Sequence, residues 1–258
     1  MNAHAPGDWK KRTVKPEQAL ARIEPGMSIF IGTGVAEPLT TVKSLMASSA
    51  ANLQDLVLTQ IVSFGDAISA RELQSHKYRL RTFFSGWVAS EAIATGRVDH
   101  IPIRFARIPE LIESGQITFD VAILQITPPN EAGYCSLGVA VDAARQALEA
   151  ADLVIGEINT QAPYTYGDTF THLSEFDLLV EATDPPIYFQ RWPVDDVFDR
   201  VAAHVAAHVE DGSCLAFSIG PVYEALSRHL SRKRNLGIHT PFLTDAAMDL
   251  IQSGAVTN

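Results

Sequence analysis

Cysteine is scarce in this sequence, and so are basic residues and long apolar runs. Two cysteines in 258 residues are too few for a disulfide framework and are typical of a reducing compartment. Lysine and arginine total 20 against 30 acidic residues, and the resulting formal charge of −10 argues against nucleic acid as the main partner. No apolar run reaches the roughly 18 residues of a transmembrane helix, and the first twenty residues lack the apolar core of a secretory signal. The sequence therefore predicts a cytoplasmic protein that binds neither nucleic acid nor membrane.

Motifs of several enzyme classes are also missing. The G-x-S-x-G elbow of α/β-hydrolases does not occur. Residues 32–34 read Gly-Thr-Gly after an apolar segment, but Glu37 stands where a dinucleotide fingerprint needs a third glycine. His204 and His208 are four residues apart on a predicted helix, without the glutamate of H-E-x-x-H. We expect no metal site there, but solvated histidines beside a buried stripe of Val197, Val201, Val205 and Val209.

Apolar segments of strand length alternate with helical patterns from about residue 20 onward. The predicted strands are Met27–Ile31, Leu56–Val62, Arg81–Phe84, Val121–Ile126, Leu153–Ile158 and Leu178–Ala182. The predicted helices are Leu39–Ala47, Ser90–Thr95, Asp142–Ala151 and Val197–Val209. Alternation of this kind predicts an α/β fold in which helices cover a mainly parallel sheet.

Thr183–Pro193 contains three prolines and interrupts this alternation, so we place a domain boundary there. The expected parts are an N-terminal extension (1–19), a first lobe (20–190) and a second lobe (194–258). The second lobe has one predicted strand, two helices and a glycine cap at Gly254, and residues 255–258 are typical of the entry to another strand. Because so short a lobe cannot bury both faces of a parallel sheet, we interpret the chain as a fragment, a split-gene product or a subunit that another polypeptide completes.

A short pattern occurs on both sides of that boundary. Residues 24–34 and 210–220 both consist of an acid, a glycine, an apolar strand and a loop that ends in glycine before a helix. Two interpretations stay open. The pattern indicates an internal repeat of two related lobes, or it is the strand–glycine–helix arrangement that is common in α/β proteins.

Residues 119–168 contain the most unusual segment of the sequence. An apolar strand ends in Pro128-Pro129, and a loop with turn residues Asn130, Gly133 and Gly138 leads to a helix and a second strand. The loop lies at the carboxyl end of a strand, where open α/β sheets bind ligands. Because ordering such a loop costs conformational entropy, its presence predicts a functional role.

Other polar groups near predicted strand ends are weaker candidates. Ser63-Phe64-Gly65 and Ser85-Gly86 offer hydroxyl or amide donors to a pocket, but most such serines only cap or turn the chain. Cys135 lies inside the loop, and no neighbouring residue in sequence would clearly lower the pKa of its thiol, so we do not assign it as a nucleophile.

In the segment TPPNEAGYCSLGVAVDAARQA (127–147) the sequence resembles the N-terminal part of the acetyl-CoA hydrolase/transferase family of CoA-transferases, and it also resembles the 4-hydroxybutyrate and acetate CoA-transferases within that family. The segments that carry the resemblance are TPPNEAGYCSLGVAVDAARQA (127–147), LVIGEINTQAP (153–163) and YGDTFTHLSEFDLLVE (166–181). Weaker agreement occurs in 29–38, 101–112 and 236–258, so the resemblance extends over nearly the whole chain. It implies a CoA-transferase-like lobe followed by the beginning of a second, similar lobe.

The resemblance also implies a substrate cleft. Its lining would supply backbone amides and polar caps to the acyl or carboxylate end of the substrates, through Gly32, Thr33, Gly34, Pro128, Pro129, Asn130, Gly133, Asn159, Gly167 and Asp168. For Gly32-Thr33-Gly34, a tight turn without a ligand role stays open as the alternative. The implied substrates are acyl-CoA and a short-chain carboxylate, with coenzyme A as a substrate and no tightly bound cofactor.

Three departures from the family pattern concern catalysis. In the family a glutamate after His239-Thr240 attacks the acyl-CoA thioester and forms a mixed anhydride, but here Pro241 occupies that place. Tyr164 stands near the position where the family has an arginine, whereas Asn159 matches. The family's later glycine-rich G-G-Q-x-D-F segment would lie beyond residue 258. We therefore assign no catalytic residue.

Three hypotheses for the function follow. The chain is the N-terminal part of an enzyme of acetate-type metabolism, a CoA-transferase or an acyl-CoA hydrolase, or it is a non-catalytic partner of a C-terminal-lobe polypeptide, or it is an inactive fragment. A homodimer is a further possible assembly. Exchange of CoA between an acyl-CoA and a short-chain acid would distinguish the first hypothesis from the others.

Overall fold

The computed structural model describes residues 6–62, 68, 77–84 and 90–258. The serine–glycine segments 63–65 and 85–86 lie outside these residues. Contacts between residues divide the chain into an N-terminal unit, Met1–Tyr188, and a C-terminal unit, Phe189–Asn258.

An eight-stranded parallel sheet forms the centre of the N-terminal unit. Its strands are β1 (Thr13–Val14), β2 (Ser28–Ile31), β3 (Leu56–Gln60), β4 (Tyr78–Thr82), β5 (Val98–His100), β6 (Val121–Ile126), β8 (Leu153–Ile158) and β10 (Leu178–Glu181). Their order across the sheet is β1-β10-β8-β6-β2-β3-β4-β5. The α/β fold with a mainly parallel sheet is thus confirmed. The segment expected as an N-terminal extension contributes β1, at the edge of this sheet.

Helices cover both faces of the sheet. Those of the N-terminal unit are α1 (Pro16–Leu20), α2 (Leu39–Ala47), α3 (Ser90–Ala94), α4 (Ile108–Glu113) and α5 (Ala144–Ala150). One apolar core contains Phe30, Leu124 and Ile158, and the other contains Ile31, Ile123 and Ile155. Because β6 and β8 are buried at every residue, their sequences are nearly continuous apolar runs, as expected for parallel strands that are covered on both faces.

The loop after β6 contains a strand that the sequence did not indicate. β7 (Tyr134–Ser136) pairs antiparallel with β9 (Phe170–His172) in a separate two-stranded sheet. The amide of Thr127 donates to the carbonyl of Ser136, at 2.9 Å, so residues 127–136 form a hairpin above the end of β6. The predicted loop is therefore an ordered hairpin whose outer strand is held by β9.

The C-terminal unit contains two parallel strands and three helices. These are α6 (Asp196–Ala207), β11 (Cys214–Ala216), α7 (Pro221–Leu230), β12 (Gly237–His239) and α8 (Asp245–Gln252). The amide of Ile238 donates to the carbonyl of Asn258, at 3.0 Å, so the last residues run beside β12.

The predicted buried valine stripe on α6 is wrong. Val197, Val201 and Val205 are exposed, and only Val209, just after the helix, is buried. Ala202 and Ala206 turn toward the core instead, because small side chains allow a close approach to the neighbouring helix. His204 and His208 are exposed, as expected.

The two units repeat one turn of the backbone. Gly26 and Gly212 have φ values of 83° and 81°, which is the left-handed region that favours glycine. The amide of Gly26 donates to the carbonyl of Gln54 at 3.0 Å, and that of Gly212 donates to the carbonyl of Arg234 at 2.9 Å. Each glycine thus ties the entry of one strand to the entry of its parallel neighbour.

A second local feature repeats at those neighbouring strands. Asp55 and Asn235, just before β3 and β12, both have φ of 56°, and among the described residues no other non-glycine residue has a positive φ. β2 pairs with β3, and β11 pairs with β12, in parallel. Agreement at two uncommon backbone positions favours an internal repeat over a generic pattern, so the C-terminal unit begins a second lobe.

Candidate functional site

The predicted site residues collect at the carboxyl edge of the large sheet. From β2 the chain proceeds to β3, β4 and β5 on one side, and then returns to β6 on the other side. The strand order therefore reverses between β2 and β6, and such a switch point opens a crevice that binds ligands in α/β sheets. The loop 32–34 follows β2, and the hairpin 127–136 follows β6, so they lie on the two sides of this crevice.

The loop 32–34 is held closely by backbone hydrogen bonds. The amide of Gly32 donates to the carbonyl of Ile123 at 2.8 Å, and that of Gly34 donates to the carbonyl of Val62 at 2.7 Å. A β-carbon on Gly32 would lie 3.0 Å from the carbonyl oxygen of Ala36, so a larger residue would require this backbone to shift. Because backbone carbonyls already accept hydrogen bonds from both amides, these two groups are not available to stabilise an oxyanion.

Thr33 links the two sides of the crevice. Its hydroxyl donates to a carboxylate oxygen of Asp142, which lies just before α5. Burial raises the pKa of Asp142, while the hydrogen bonds from Thr33 and from the amide of Ala143 oppose that rise. The pair fixes the loop after β2 against the entry of the helix that follows the hairpin.

Asn130 and Gly133 shape the tip of the hairpin. The side-chain oxygen of Asn130 accepts hydrogen bonds from the amides of Ala132 and Tyr134, both at 3.0 Å. Gly133 has φ of 86°, and a β-carbon there would lie 2.6 Å from Nε2 of His172. Pro128 and Pro129, at the base of this turn, are half-buried.

Asn159 joins three strand ends. It is buried at the end of β8, and its Nδ2 donates to Oε1 of Gln125 at 2.9 Å and to the carbonyl of Asp184 at 3.1 Å. Its Oδ1 accepts from the amide of Gln161 at 3.0 Å. The residue therefore positions the ends of β6 and β8 and the segment after β10.

Two further predicted residues lie on the segment between β8 and β9. Gly167 has φ of 108°, and its surroundings are open. The Asp168 side chain is 95% exposed, with Oδ1 3.5 Å from Nε of Arg145. This segment lies beside the hairpin because the Oγ1 of Thr165 donates to the carbonyl of Gly138 at 2.6 Å. Substrate contact by all ten predicted residues stays a prediction.

Tyr164, which stands near the family's arginine position, contacts the hairpin tip. Nδ2 of Asn130 donates to its hydroxyl at 3.3 Å. Tyr164 also packs against Tyr166 and Phe170, with ring centroids 5.6 and 5.5 Å away. The side chain at this position thus brings an aromatic ring and a neutral hydroxyl to the crevice where an arginine would bring a positive charge.

A buried carboxylate beside this crevice was not among the residues that sequence reasoning singled out. Glu157, on β8, accepts hydrogen bonds from the amides of Thr40 and Thr41, at 3.2 and 2.7 Å, and from the Thr41 hydroxyl at 2.7 Å. Burial raises its pKa to about 7, against the effect of these bonds and with a small contribution from Asp184. The carboxylate thereby caps the first turn of α2, where negative charge is favourable.

Asp184 ties the other side of the same helix. It lies after β10, accepts from the Thr40 hydroxyl at 3.1 Å and forms an ion pair with Lys43. The hydrogen bond from Lys43 is the main reason that the pKa of Asp184 is below its ordinary value. The only sequence signal for this network was an acid, Glu157, within an otherwise apolar strand.

The C-terminal unit contains a cavity of about 280 Å³ between the first turns of α7 and α8. Arg191 lies in its wall and contacts Glu224 and Asp249, with Nη2 to oxygen distances of 2.9 and 2.6 Å. Ser218–Gly220 line the cavity, at the carboxyl end of β11. Pro241 follows the carboxyl end of the adjacent β12 and is exposed.

Across residues 6–62, 68, 77–84 and 90–258, no group of three or more histidine, cysteine or acidic side chains could hold a metal ion. In that same part of the chain, no helix is long and apolar enough to cross a membrane.

Known proteins resemble this chain in sequence and in structure. Residues 2–190 match the acetyl-CoA hydrolase/transferase N-terminal domain. The chain belongs to this family. It is 33% identical over 250 residues to the 4-hydroxybutyrate coenzyme A transferase of Clostridium kluyveri, a match that covers 97% of this chain and 58% of that protein. It is 31% identical to the succinyl-CoA:acetate/propanoyl-CoA:succinate CoA transferase of Fasciola hepatica, with 98% and 53% covered.

Two solved structures share the fold. RipA from Yersinia pestis superposes with a TM-score of 0.87 at 25% identity, over 98% of this chain and 61% of that one. The 4-hydroxybutyrate CoA-transferase of Porphyromonas gingivalis gives 0.76 at 27% identity, over 96% and 58%. The chain thus spans about three-fifths of the length of these two proteins.

Proposed function

We propose that this chain forms one half of the substrate site of a CoA-transferase that moves CoA between a short-chain acyl-CoA and a carboxylic acid. The observation that carries the proposal is the crevice at the switch point, where the loop 32–34 and the hairpin 127–136 lie on opposite sides. The family's CoA-transferase relatives support the reaction class. The same proposal includes a short-chain acid as the substrate, transfer rather than hydrolysis, and a cytoplasmic location.

The chemical step needs a group that this half of the site does not supply. Proline has no nucleophilic side-chain atom, and Pro241 occupies the position of the family's glutamate. The reacting carboxylate would therefore come from a different polypeptide, such as a C-terminal-lobe chain, because a second copy of this chain has the same Pro241. In this arrangement the crevice binds and orients the acid while the partner carries the anhydride chemistry.

Charge at the hairpin tip provides the test. In Asn130→Asp a carboxylate oxygen can still accept hydrogen bonds from the amides of Ala132 and Tyr134, so the turn persists. The new negative charge would oppose a bound carboxylate by about 1 kcal/mol at roughly 4 Å in water, which is about fivefold in affinity. We expect that loss for propionate, measured by saturation-transfer NMR, whereas acetyl-CoA, whose acyl end is a neutral thioester, should keep its affinity in calorimetry.

Gln116→Glu is the matched control. It adds the same charge on an exposed residue that precedes β6, at the opposite edge of the sheet, and we expect it to leave both affinities unchanged. Equal weakening by the two substitutions, or no saturable binding to the unmodified chain, would contradict the proposal.

Pro241 also favours a second candidate function. In that alternative the chain is a non-catalytic partner that completes or regulates a separate polypeptide, and the assembled complex contains no nucleophile at this position. The two candidates differ in one measurement, because only the first predicts CoA exchange by the assembled complex.

A further inference from the structure

One edge of β11 is unpaired. The carbonyl of Ser213 accepts from the amide of Gly237 at 2.9 Å, and the amide of Phe217 donates to His239 at 3.1 Å, so these groups face β12. Because alternate residues of a strand face opposite neighbours, the backbone groups of Cys214 and Ala216 face away from β12. Within residues 189–258, all of which the structure describes, β11 pairs with β12 alone.

The repeat shows what covers the equivalent edge in the N-terminal unit. Ser28, on β2, matches Cys214 in the repeat. Its carbonyl accepts from the amide of Asp120 at 2.9 Å, and the amide of Gly32 donates to Ile123 at 2.8 Å. β6 therefore lies against this edge of β2. Accordingly Phe30 is fully buried, whereas the matching Ala216 is exposed.

Exposed apolar surface is concentrated in the same unit. Of the fourteen large apolar side chains that are exposed in the described part of the chain, eight lie in the C-terminal unit, which is about a quarter of the sequence. Val197, Val201 and Val205 form one row on α6, at a spacing of four residues. Apolar surface of this kind commonly marks a protein–protein contact.

We propose that the open edge of β11, at Cys214 and Ala216, binds a parallel apolar strand that lies outside residues 1–258, the counterpart of β6. The occupant to which we commit is the segment that corresponds to the part of the relatives beyond this chain's match. Strand β6 itself, with six buried residues in VAILQI, gives the chemistry expected of that strand. Main-chain hydrogen bonds would provide affinity, and its alternating side chains would fill the surface beside α7 and α8.

Cys214 is a natural reporter of this edge. It is exposed, whereas Cys135 is buried, and burial raises the pKa of the Cys135 thiol to about 12. With Ellman's reagent at pH 8 we expect one rapidly reacting thiol per chain, and none in Cys214→Ser, which introduces the serine found in β2. The remaining part of the Clostridium kluyveri relative, added as a separate polypeptide, should slow the Cys214 reaction at least tenfold.

Hydrogen exchange at single amides distinguishes strand pairing from simple shielding of the Cys214 thiol. Hydrogen exchange at Ala216 should slow at least tenfold with the added polypeptide, while Leu215, already directed at β12, should change little. Ala216→Pro removes the edge donor, at a strand position that tolerates proline, and should abolish thiol protection. Ala216→Thr keeps the donor and should retain it.

Three results would overturn the proposal. They are an unchanged Cys214 rate at saturating polypeptide, protection that persists in a folded Ala216→Pro variant, and protection by self-association of the chain alone, seen as a dimer in sedimentation. The inference rests on the repeated backbone and not on the transferase chemistry, so its failure would leave the crevice test at Asn130 unaffected.

Discussion

The buried Glu157 should make the N-terminal unit less stable as the pH rises. Its folded-state pKa is about 7, against an ordinary value of 4.5. Between these values the folded state holds a proton that the unfolded state has released, so the free energy of unfolding decreases with pH. Each pH unit in this window removes about 1.4 kcal/mol, for a total of about 3 kcal/mol. The loss is complete above pH 7 and absent below 4.5.

Glu157→Gln isolates this contribution. The amide oxygen can keep the bonds from Thr41, but the bond from the Thr40 amide is lost, which costs about 1 kcal/mol at every pH. Asp142, whose pKa is also raised, titrates in both proteins and cancels in their difference. The free energy of unfolding of the unmodified chain, relative to the variant, should therefore fall by about 3 kcal/mol between pH 4.5 and 7.

Hydrogen exchange at the amides of β8 measures this difference in the unit that contains Glu157. Urea is added so that exchange proceeds through unfolding of this unit at each pH. A difference between the two proteins that is flat across the window would refute the assignment of a proton to buried Glu157. A difference that grows with pH would refute its sign.

Two other substitutions test the packing of the site and of the C-terminal cavity. Gly133→Ala should destabilise the N-terminal unit by about 2 kcal/mol, because φ of 86° disfavours alanine and the new β-carbon meets His172. Gly115→Ala, with φ of 70° and open surroundings, should cost only the backbone part in thermal unfolding, and equal costs would contradict the His172 contact. Arg191→Met should destabilise the C-terminal unit by about 1–2 kcal/mol, since it leaves the buried Glu224 carboxylate without this ion pair, and Arg191→Lys should lose less in urea unfolding. Equal losses would show that the charge of Arg191 is unimportant.

The large parallel sheet was the most predictable part of the fold. β6 and β8 begin and end where the sequence places them, because strands covered on both faces must be continuously apolar. The short β7 and β9 were missed because three-residue strands carry little periodicity. Their pairing depends on the Asn130 turn and on a partner about thirty-five residues away.

Side-chain periodicity alone predicted the wrong buried face for α6. The spacing of Val197, Val201 and Val205 correctly identifies one face of a helix. It cannot show whether another element covers that face, and here the alanines Ala202 and Ala206 are buried instead. A face of valines that stays exposed in this unit is consistent with a protein–protein contact of the unit.

The glycines and asparagines of the site could be located from the sequence, but its buried acids could not. Gly133 and Asn159 are recognisable because turns and strand ends favour these residue types. Glu157 acts on Thr41, 116 residues earlier, and Asp142 acts on Thr33, 109 residues earlier. Such pairs depend on the tertiary fold, which a local pattern does not specify.

Isotope exchange tests most directly whether this chain is half of a CoA-transferase site that lacks only its nucleophile. Residues 1–258, joined to the part of the Clostridium kluyveri relative beyond this chain's match, would be assayed for transfer of labelled CoA from acetyl-CoA to propionate; that added part does not include the position of Pro241, so it brings no nucleophile for it. We expect no exchange with Pro241, exchange with Pro241→Glu, and none with Pro241→Gln, whose amide is not a nucleophile. Exchange by the Pro241 protein at the rate of the glutamate variant, or none in a folded Pro241→Glu protein, would contradict this assignment.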